Sequence, residues 1–327
     1  FTVSKSPEGA LKRRYLDVGE NPPRGAVITY WLAEMPTKPI KVTIQDAGGM
    51  TVREFTSMTA EERKKAGLAP TLTEAEASQG TLAGEGEEGE ELTPNAAAEV
   101  KDLRAPANAG WNRFVWDLRL AHATKIEGSD VAAETLIEGP FVPPGVYSVT
   151  LTVGDQSQTQ RFEVVAAGRV TASAEDLQAQ YNLQRRILDK VSQMAAAINQ
   201  MRDLRGQMDG WSQRTAGLAT GKAVGKAAEA LRDRTLEVEK KLLVPDIKAS
   251  WVYNNEGLRL YQQLAELRSV VGMGDYRPTD QAYAVLDHLT AKIDATLAEW
   301  ETLKAEAVPA LNRQIAEAGL GAVIVKG

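Results

Sequence analysis

Residues 111–119 form the part of this chain whose side chains could best support recognition or chemistry. The segment holds Trp111, Arg113 and Asp117, and Trp31 lies in an earlier segment that is also rich in aromatic residues. Exposed tryptophans on a sheet can stack on sugar rings, and charged groups beside them can orient the ligand. The four candidates for surface or ligand contacts are therefore Trp111, Arg113, Asp117 and Trp31.

These residue types also have structural interpretations, which the sequence favours. Asp117 could serve as a catalytic acid, but such sites need a second convergent group, so an ion pair or a turn cap is favoured. Trp31 and Trp111 alternate with β-branched residues, so packing in a core is favoured over an exposed platform. The period-2 pattern around Phe114 and Trp116 predicts a strand that buries both rings.

The composition excludes several classes of active site. The chain has 327 residues, no cysteine and two histidines, which excludes thiol chemistry, disulfides and metal centres built from cysteine or from several histidines. His122 and His288 lack partner ligands and are expected to be ordinary histidines. No nucleophile elbow, phosphate loop or dinucleotide fingerprint is present. We therefore expect no catalytic residue, no cofactor and no metal.

Charge and hydropathy restrict the partners. The net charge of −6 leaves no basic footprint for nucleic acid. No apolar run approaches the roughly 20 residues that cross a bilayer, so no transmembrane segment is expected. Residues 84–91 are acidic and of low complexity. A calcium site there would need the spacing of an EF-hand loop, which is absent, so we expect residues 56–105 to form a disordered acidic insertion.

The first half of the chain predicts a β-domain over residues 25–168, after an extended linker over residues 1–24. Strands are expected around residues 26–32, 40–44 and 111–118, and a hairpin over 147–164 turns at Gly154 and Asp155. Six or seven short strands are typical of an Ig-like or fibronectin-like β-sandwich. Residues 121–140 are expected to form a variable loop within this domain.

The second half predicts helices, because apolar residues recur there at spacings of three and four. A capping pattern at Ser173 begins the first helix, and glycines at 210 and 217–221 end it. Two further helices are expected over 222–243 and 257–271. A fourth starts at Thr279, with a kink at Pro309 and a stop at Gly319. Residues 169–327 are therefore expected to form an antiparallel bundle of about four helices, giving an α+β multidomain chain.

Three further motifs accompany these elements: Asn21-Pro22-Pro23-Arg24-Gly25, Gly110-Trp111-Asn112-Arg113-Phe114-Val115-Trp116-Asp117-Leu118-Arg119 and Pro143-Pro144-Gly145-Val146-Tyr147. With Ala174-Glu175-Asp176-Leu177, they occur in an order that resembles the C-terminal region of large bacterial sortilin/VPS10-like β-propeller proteins. Those proteins are often labelled BNR-repeat glycosyl hydrolases. The resemblance covers the chain from about residue 20 onward. It implies a secreted bacterial protein, located in the periplasm or at the cell surface, with a β-propeller upstream of this chain.

Three functions remain open on these grounds. The first is a non-catalytic accessory module that packs on or extends the upstream β-propeller and presents a surface to other proteins. The second is a carbohydrate- or peptide-binding β-sandwich, which requires Trp111 or Trp31 to be exposed beside polar groups. The third is part of a glycoside hydrolase whose active site lies in the propeller, which would need paired carboxyl groups in a cleft. The absence of a catalytic constellation favours the first.

Overall fold

The computed structural model describes residues 2–5, 11–14, 23, 25–59, 62, 104–134, 137–248 and 256–320. The strands are β1 Thr2–Lys5, β2 Leu11–Arg14, β3 Ala26–Leu32, β4 Lys41–Asp46, β5 Thr51–Thr56, β6 Gly110–Trp116, β7 Gly145–Val153 and β8 Gln156–Val164. The helices are α1 Val131–Glu134, α2 Ala174–Thr215, α3 Lys222–Leu242, α4 Leu260–Val271 and α5 Asp280–Glu317. The fold is therefore mixed α+β, with the strands first and the four long helices last. Most of the predicted acidic insertion and linker lies outside the described residues.

The described strands pair only in antiparallel fashion. A short ladder joins β1 to β2, a second joins β3 to β6, and a four-stranded sheet has the order β5-β4-β7-β8. Turn chemistry explains the hairpins of the larger sheet. Asp46 Oδ1 accepts hydrogen bonds from the backbone N–H groups of Gly48 and Met50, and the β7–β8 turn places Gly154 at a φ of +59°. The predicted hairpin at Gly154 and Asp155 is thus confirmed.

Aromatic rings join the β3–β6 pair to the four-stranded sheet. The Phe114 ring of β6 meets Phe55 of β5 edge-on, with ring centroids 5.1 Å apart. The Trp116 ring meets Tyr147 of β7 and Phe162 of β8 at 6.1 and 6.2 Å. Trp116 is 0% exposed and Phe114 1% exposed, so the prediction that both rings face inward is confirmed. Edge-to-face packing of this kind adds about 0.5–1.5 kcal/mol per pair beyond the burial itself.

The long helices begin where the sequence predicts and end less predictably. The Ser173 hydroxyl accepts a hydrogen bond from the Asp176 N–H, and the Thr279 hydroxyl caps α5 in the same way through Ala282. Helix α2 passes Gly210 and ends at Thr215, and the side chains of Met208 and Thr215 in its last turns are buried. Pro309 lies inside α5 without ending it.

Side-chain pairs between helices show their relative directions. Arg186 and Lys190 of α2 pair with Asp287 and Asp294 of α5, so the two helices run in parallel. The antiparallel partner of α2 is α3, where Arg232 pairs back to Asp209. Helix α4 ends beside the start of α2, since Gln180 Nε2 donates to the Val271 carbonyl. The sequence did not predict the parallel pairing of α2 and α5. Helices α3 and α4 both run in the direction opposite to α2 and α5.

The contacts divide the chain into two compact units. The first holds residues 1–121 and 141–168, and the second holds residues 122–140 and 169–327. Residues 122–140, which the sequence assigns to the β-domain, thus cluster with the helices. Among the helices that the structure describes, none combines the length and the apolar character that a membrane span requires.

Candidate functional site

The strand pair β3–β6 turns one row of side chains toward solvent. Its register sets Trp31 opposite Trp111, Thr29 opposite Arg113, and Val27 opposite Val115. We call the surface made by these six residues the outward face. Because side chains on opposite residues of an antiparallel pair lie about 5 Å apart, the two indoles are neighbours at one end of this face.

Both indoles of the outward face are exposed. Trp31 is 57% exposed and Trp111 is 76% exposed, so the expectation that they pack in a core is wrong. The physical reason is the period of the strand. Trp111 has the same parity as Arg113, and the residues of opposite parity, such as Phe114, fill the core. The alternation within β6 could have revealed this, whereas the preference of aromatic residues for burial pointed the wrong way.

The rings of Trp31 and Trp111 are not used by the rest of the described structure. Among the described residues, neither indole makes a ring–ring or cation–ring contact, and neither takes part in a hydrogen bond. Fully covering a tryptophan buries roughly 150–250 Å². Two adjacent rings therefore offer an apolar area comparable to the centre of a small recognition surface. Arg113 places a positive charge at the next position of the outward face, two residues along β6 from Trp111.

A buried polar residue fixes the position of Trp111. The side chain of Asn112 is 2% exposed and points inward. Its Oδ1 accepts from the Asn108 N–H at 2.9 Å, and its Nδ2 donates to the carbonyls of Asn108 at 2.8 Å and Gly110 at 3.1 Å. This amide ties the entering loop to the first rungs of β6. The sequence signal for this role is a polar residue at an inward position of a strand. Reasoning from the sequence overlooked Asn112.

Tyr30 supports the neighbouring strand in a similar way. It is buried beside Trp31, and its hydroxyl donates to the carbonyl of Pro106. Burial raises the pKa of Tyr30 well above the ordinary value of a tyrosine, so the hydroxyl stays protonated and keeps donating. Both tryptophans of the outward face are thus carried by backbone that a buried polar neighbour holds in place.

Asp117 lies away from the two tryptophans and has a structural role. It follows the last residue of β6, about six residues or roughly 20 Å along the strand from Trp111. Its Oδ1 accepts from the Arg119 N–H at 3.1 Å, and Leu118 between them has a φ of 59°. Trp116 Nε1 donates to the Arg119 carbonyl at 3.0 Å. Asp117 therefore caps a tight turn, which is the interpretation that the sequence favours.

A second cluster of charged residues lies in the helical unit. Arg202 of α2 pairs through Nη2 with Asp130 Oδ2 at 2.6 Å and through Nε with Glu239 Oε1 at 3.0 Å. Arg205 Nη2 lies 2.9 Å from Glu239 Oε2. We call these four residues the Arg202 cluster. A pocket of about 410 Å³ opens beside it, lined in part by Asn199, Asp203, Asp246 and Lys248.

The charges of the Arg202 cluster offset one another. Glu239 is 0% exposed, and burial raises its pKa, an effect that Arg205 and Arg202 only partly reverse. Asn199 holds the same region by accepting from the Glu127 N–H at 2.8 Å and donating to the Lys125 carbonyl at 2.9 Å. The cluster therefore links residues 122–140 to α2 and α3, and its role is structural.

The remaining candidates of the sequence analysis have ordinary surroundings. His122 Nδ1 accepts from the Gly139 N–H at 3.1 Å, and His288 is exposed on α5. Met194, Met201 and Met208 are all buried within the helical unit. Within the described ranges, no group of three or more histidine, aspartate or glutamate side chains is arranged to hold a metal ion. Residues 84–91, where calcium was considered, lie outside the described residues.

Comparisons of this chain with protein-family models, with curated proteins and with solved structures find no match. The outward face is therefore interpreted from its own geometry.

Proposed function

We propose that this chain is a non-catalytic interaction module whose outward face on β3–β6 binds another protein. The observation that supports this proposal is the pair of exposed indoles, Trp31 and Trp111, which contact no other ring or cation among the described residues and lie on a backbone held by buried polar residues. Tryptophan, tyrosine and arginine are the residues most enriched in the energetic centres of protein interfaces. Arg113 lies on the same face as Trp111, two residues along β6. The charges of the Arg202 cluster are paired with one another, so this cluster supports a structural role better than a catalytic one.

The proposed partner is a β-propeller that precedes this chain in the same secreted bacterial protein, located in the periplasm or at the cell surface. Its support is the resemblance of the motifs around residues 110–119 and 143–147 to sortilin/VPS10-like proteins. In that arrangement, the module would brace the propeller or extend it. Any glycosidase chemistry would then belong to the propeller.

We also propose a finer description of the fold. The ring contacts of Phe114 and Trp116 with β5, β7 and β8 support an Ig-like β-sandwich built from a two-stranded and a four-stranded sheet. For the helical unit we propose a bundle in which α3 and α4 together form the antiparallel return between α2 and α5.

The test measures binding of this chain to the purified upstream region by titration calorimetry. The double variant Trp31→Ala/Trp111→Ala is expected to weaken the affinity about tenfold or more, because buried tryptophans typically contribute more than 1 kcal/mol each. Met273→Ala serves as the matched control, since Met273 is a highly exposed apolar residue of the helical unit. No association of the native chain, or equal binding by the double variant, would contradict the proposal.

A carbohydrate- or peptide-binding module is the second candidate, because exposure of Trp31 and Trp111 is the condition that it required. The outward face favours a protein over a sugar. Its polar groups are limited to Thr29 and Arg113, whereas sugar sites also need acceptors for the ring hydroxyls. Screening the chain against soluble oligosaccharides and extended peptides separates the two. Saturable sugar binding that Trp111→Ala abolishes would establish the carbohydrate alternative.

A further inference from the structure

The two edges of the four-stranded sheet differ in how they are protected. At β5 the register shifts between Ile44 and Gln45, and the Ala105 N–H donates to the Thr56 carbonyl at 3.2 Å. Arg53 of the same strand also donates to the Leu120 carbonyl. Bulges and covering segments of this kind are the usual means by which a sheet edge avoids pairing with another chain. The β5 edge is therefore irregular and covered at one end.

The β8 edge is long, regular and open. All nine residues of β8 pair with β7 without a bulge, and no proline or lysine interrupts the strand. The Arg161 carbonyl accepts from the side chain of Gln160 at 3.2 Å, so the backbone of Arg161 faces away from β7. Because backbone direction alternates along an antiparallel strand, Thr159 and Glu163 also face outward. Within the described parts of the chain, no strand covers these groups.

The charges on β8 are complementary to themselves. Arg161 and Glu163 are both exposed, and neither charged side chain has a partner among the described residues. Two copies of β8 in antiparallel alignment can be related by a two-fold axis at any residue, and each choice gives a different pairing. An axis at Phe162 sets Arg161 opposite Glu163 of the second copy, and Glu163 opposite Arg161 of the second copy. It also sets Gln160 opposite Val164, which continues the face that carries Phe162.

We propose that β8 is a self-association surface, where two copies of this chain join edge to edge in the register centred on Phe162. The joined sheets would form one continuous antiparallel sheet of eight strands. Paired backbone groups provide the affinity, and the two Arg161–Glu163 pairs select the register. The contact is small, because the axis aligns only the residues from 160 to 164 within the strand bounds. Dimerisation is therefore expected only at high concentration.

Exchanging the charges of Arg161 and Glu163 tests the proposed register of the two β8 strands. Sedimentation equilibrium of the native chain between about 10 μM and 1 mM is expected to show a monomer–dimer equilibrium. Arg161→Glu and Glu163→Arg should each weaken dimerisation about tenfold or more, because each variant sets like charges opposite each other twice. The double variant Arg161→Glu/Glu163→Arg should restore the native dimerisation constant. A native chain that stays monomeric at 1 mM, or charge variants that dimerise equally, would overturn the proposal.

Cross-linking gives a second test, because the chain has no cysteine of its own. The register sets Thr159 opposite Val165 of the second copy, whereas two copies of Thr159 would lie roughly 20 Å apart. An oxidised mixture of Thr159→Cys and Val165→Cys chains should therefore give a disulfide-linked dimer, and each variant alone should not. Equal cross-linking of Thr159→Cys with itself would overturn the register. Dimerisation lost in Trp31→Ala/Trp111→Ala would overturn the assignment to β8 and move the contact to the outward face.

Discussion

The outward face of β3–β6 and the Arg202 cluster both gather unusual side chains, yet they differ in what those side chains already touch. Arg202 and Glu239 are largely removed from solvent and paired with each other. Trp31 and Trp111 are exposed, and their rings meet no other ring of the described structure. A group whose interactions are satisfied within the chain contributes to stability, whereas an ordered but unpartnered group is available for binding. Loss of stability and loss of binding should therefore separate between the two regions.

The largest loss of unfolding free energy is expected for a substitution in the Arg202 cluster. Arg202→Ala leaves Asp130 and Glu239 without their shared partner, and breaking a buried pair in this way costs about 3–5 kcal/mol of unfolding free energy. Urea unfolding of the full chain, followed by circular dichroism, measures the loss. Arg232→Ala is the matched control on α3, since its pairs with Asp209 and Asp233 are more exposed and should contribute less than about 1 kcal/mol. Equal losses for the two variants would contradict the comparison.

The next effect concerns the support of the outward face. Asn112→Ala leaves the Asn108 N–H and carbonyl without their partner, and we expect a loss of about 1–3 kcal/mol. The same variant should weaken binding at the outward face, because Trp111 then loses its fixed position. Thermal unfolding and calorimetric titration, carried out on the same protein, measure both changes. Thr29→Ala on the exposed side of β3 is the control, with little change expected in stability.

A smaller effect on the unfolding free energy is expected to depend on pH. The pKa of Glu239 is raised in the folded chain, so the folded state binds its proton more strongly than the unfolded state does. Its contribution to stability is fully present below the ordinary pKa of 4.5 and is lost as the pH rises through the raised value. The difference in unfolding free energy between the native chain and Glu239→Gln should therefore fall across that range. A difference that grows with pH would mean that Arg202 and Arg205 outweigh burial.

The smallest effect on stability is expected for the tryptophans. Trp31→Ala and Trp111→Ala remove exposed rings and should each change the unfolding free energy by about 0.5 kcal/mol or less. Trp116→Ala, on the inward face of the same strand pair, should cost about 3–5 kcal/mol. Chemical denaturation of the three variants compares one residue type in two environments. A loss above 2 kcal/mol for Trp111→Ala would show that its ring supports the fold.

The sequence predicts local features better than distant contacts. Turn residues locate the hairpin at Gly154, and the hydroxyl residues Ser173 and Thr279 locate the starts of α2 and α5. Long-range packing carries α2 past Gly210, and it sets α5 parallel to α2. Neither result follows from helical periodicity, because an apolar stripe does not specify its partner.

The candidate site was predictable in part. The sequence locates Trp31, Trp111 and Arg113, and strand parity places Trp111 and Arg113 on one side of β6. Only the β3–β6 register sets Trp31 beside Trp111. The role of Asn112 depends on a loop that returns to the strand, and the Arg202 cluster joins residues far apart in the sequence. Such contacts depend on tertiary structure and leave little local signal.

The second unit collects residues 122–140 from between two segments of the first. Neither unit is therefore a single uninterrupted stretch of the gene. A single recombination breakpoint cannot transfer either unit whole. A breakpoint after residue 140 separates Asp130 from Arg202, and one before residue 122 separates β7 and β8 from the other strands. We expect the two units to be inherited together, and a transplant of the helices alone would need residues 122–140 spliced directly ahead of residue 169.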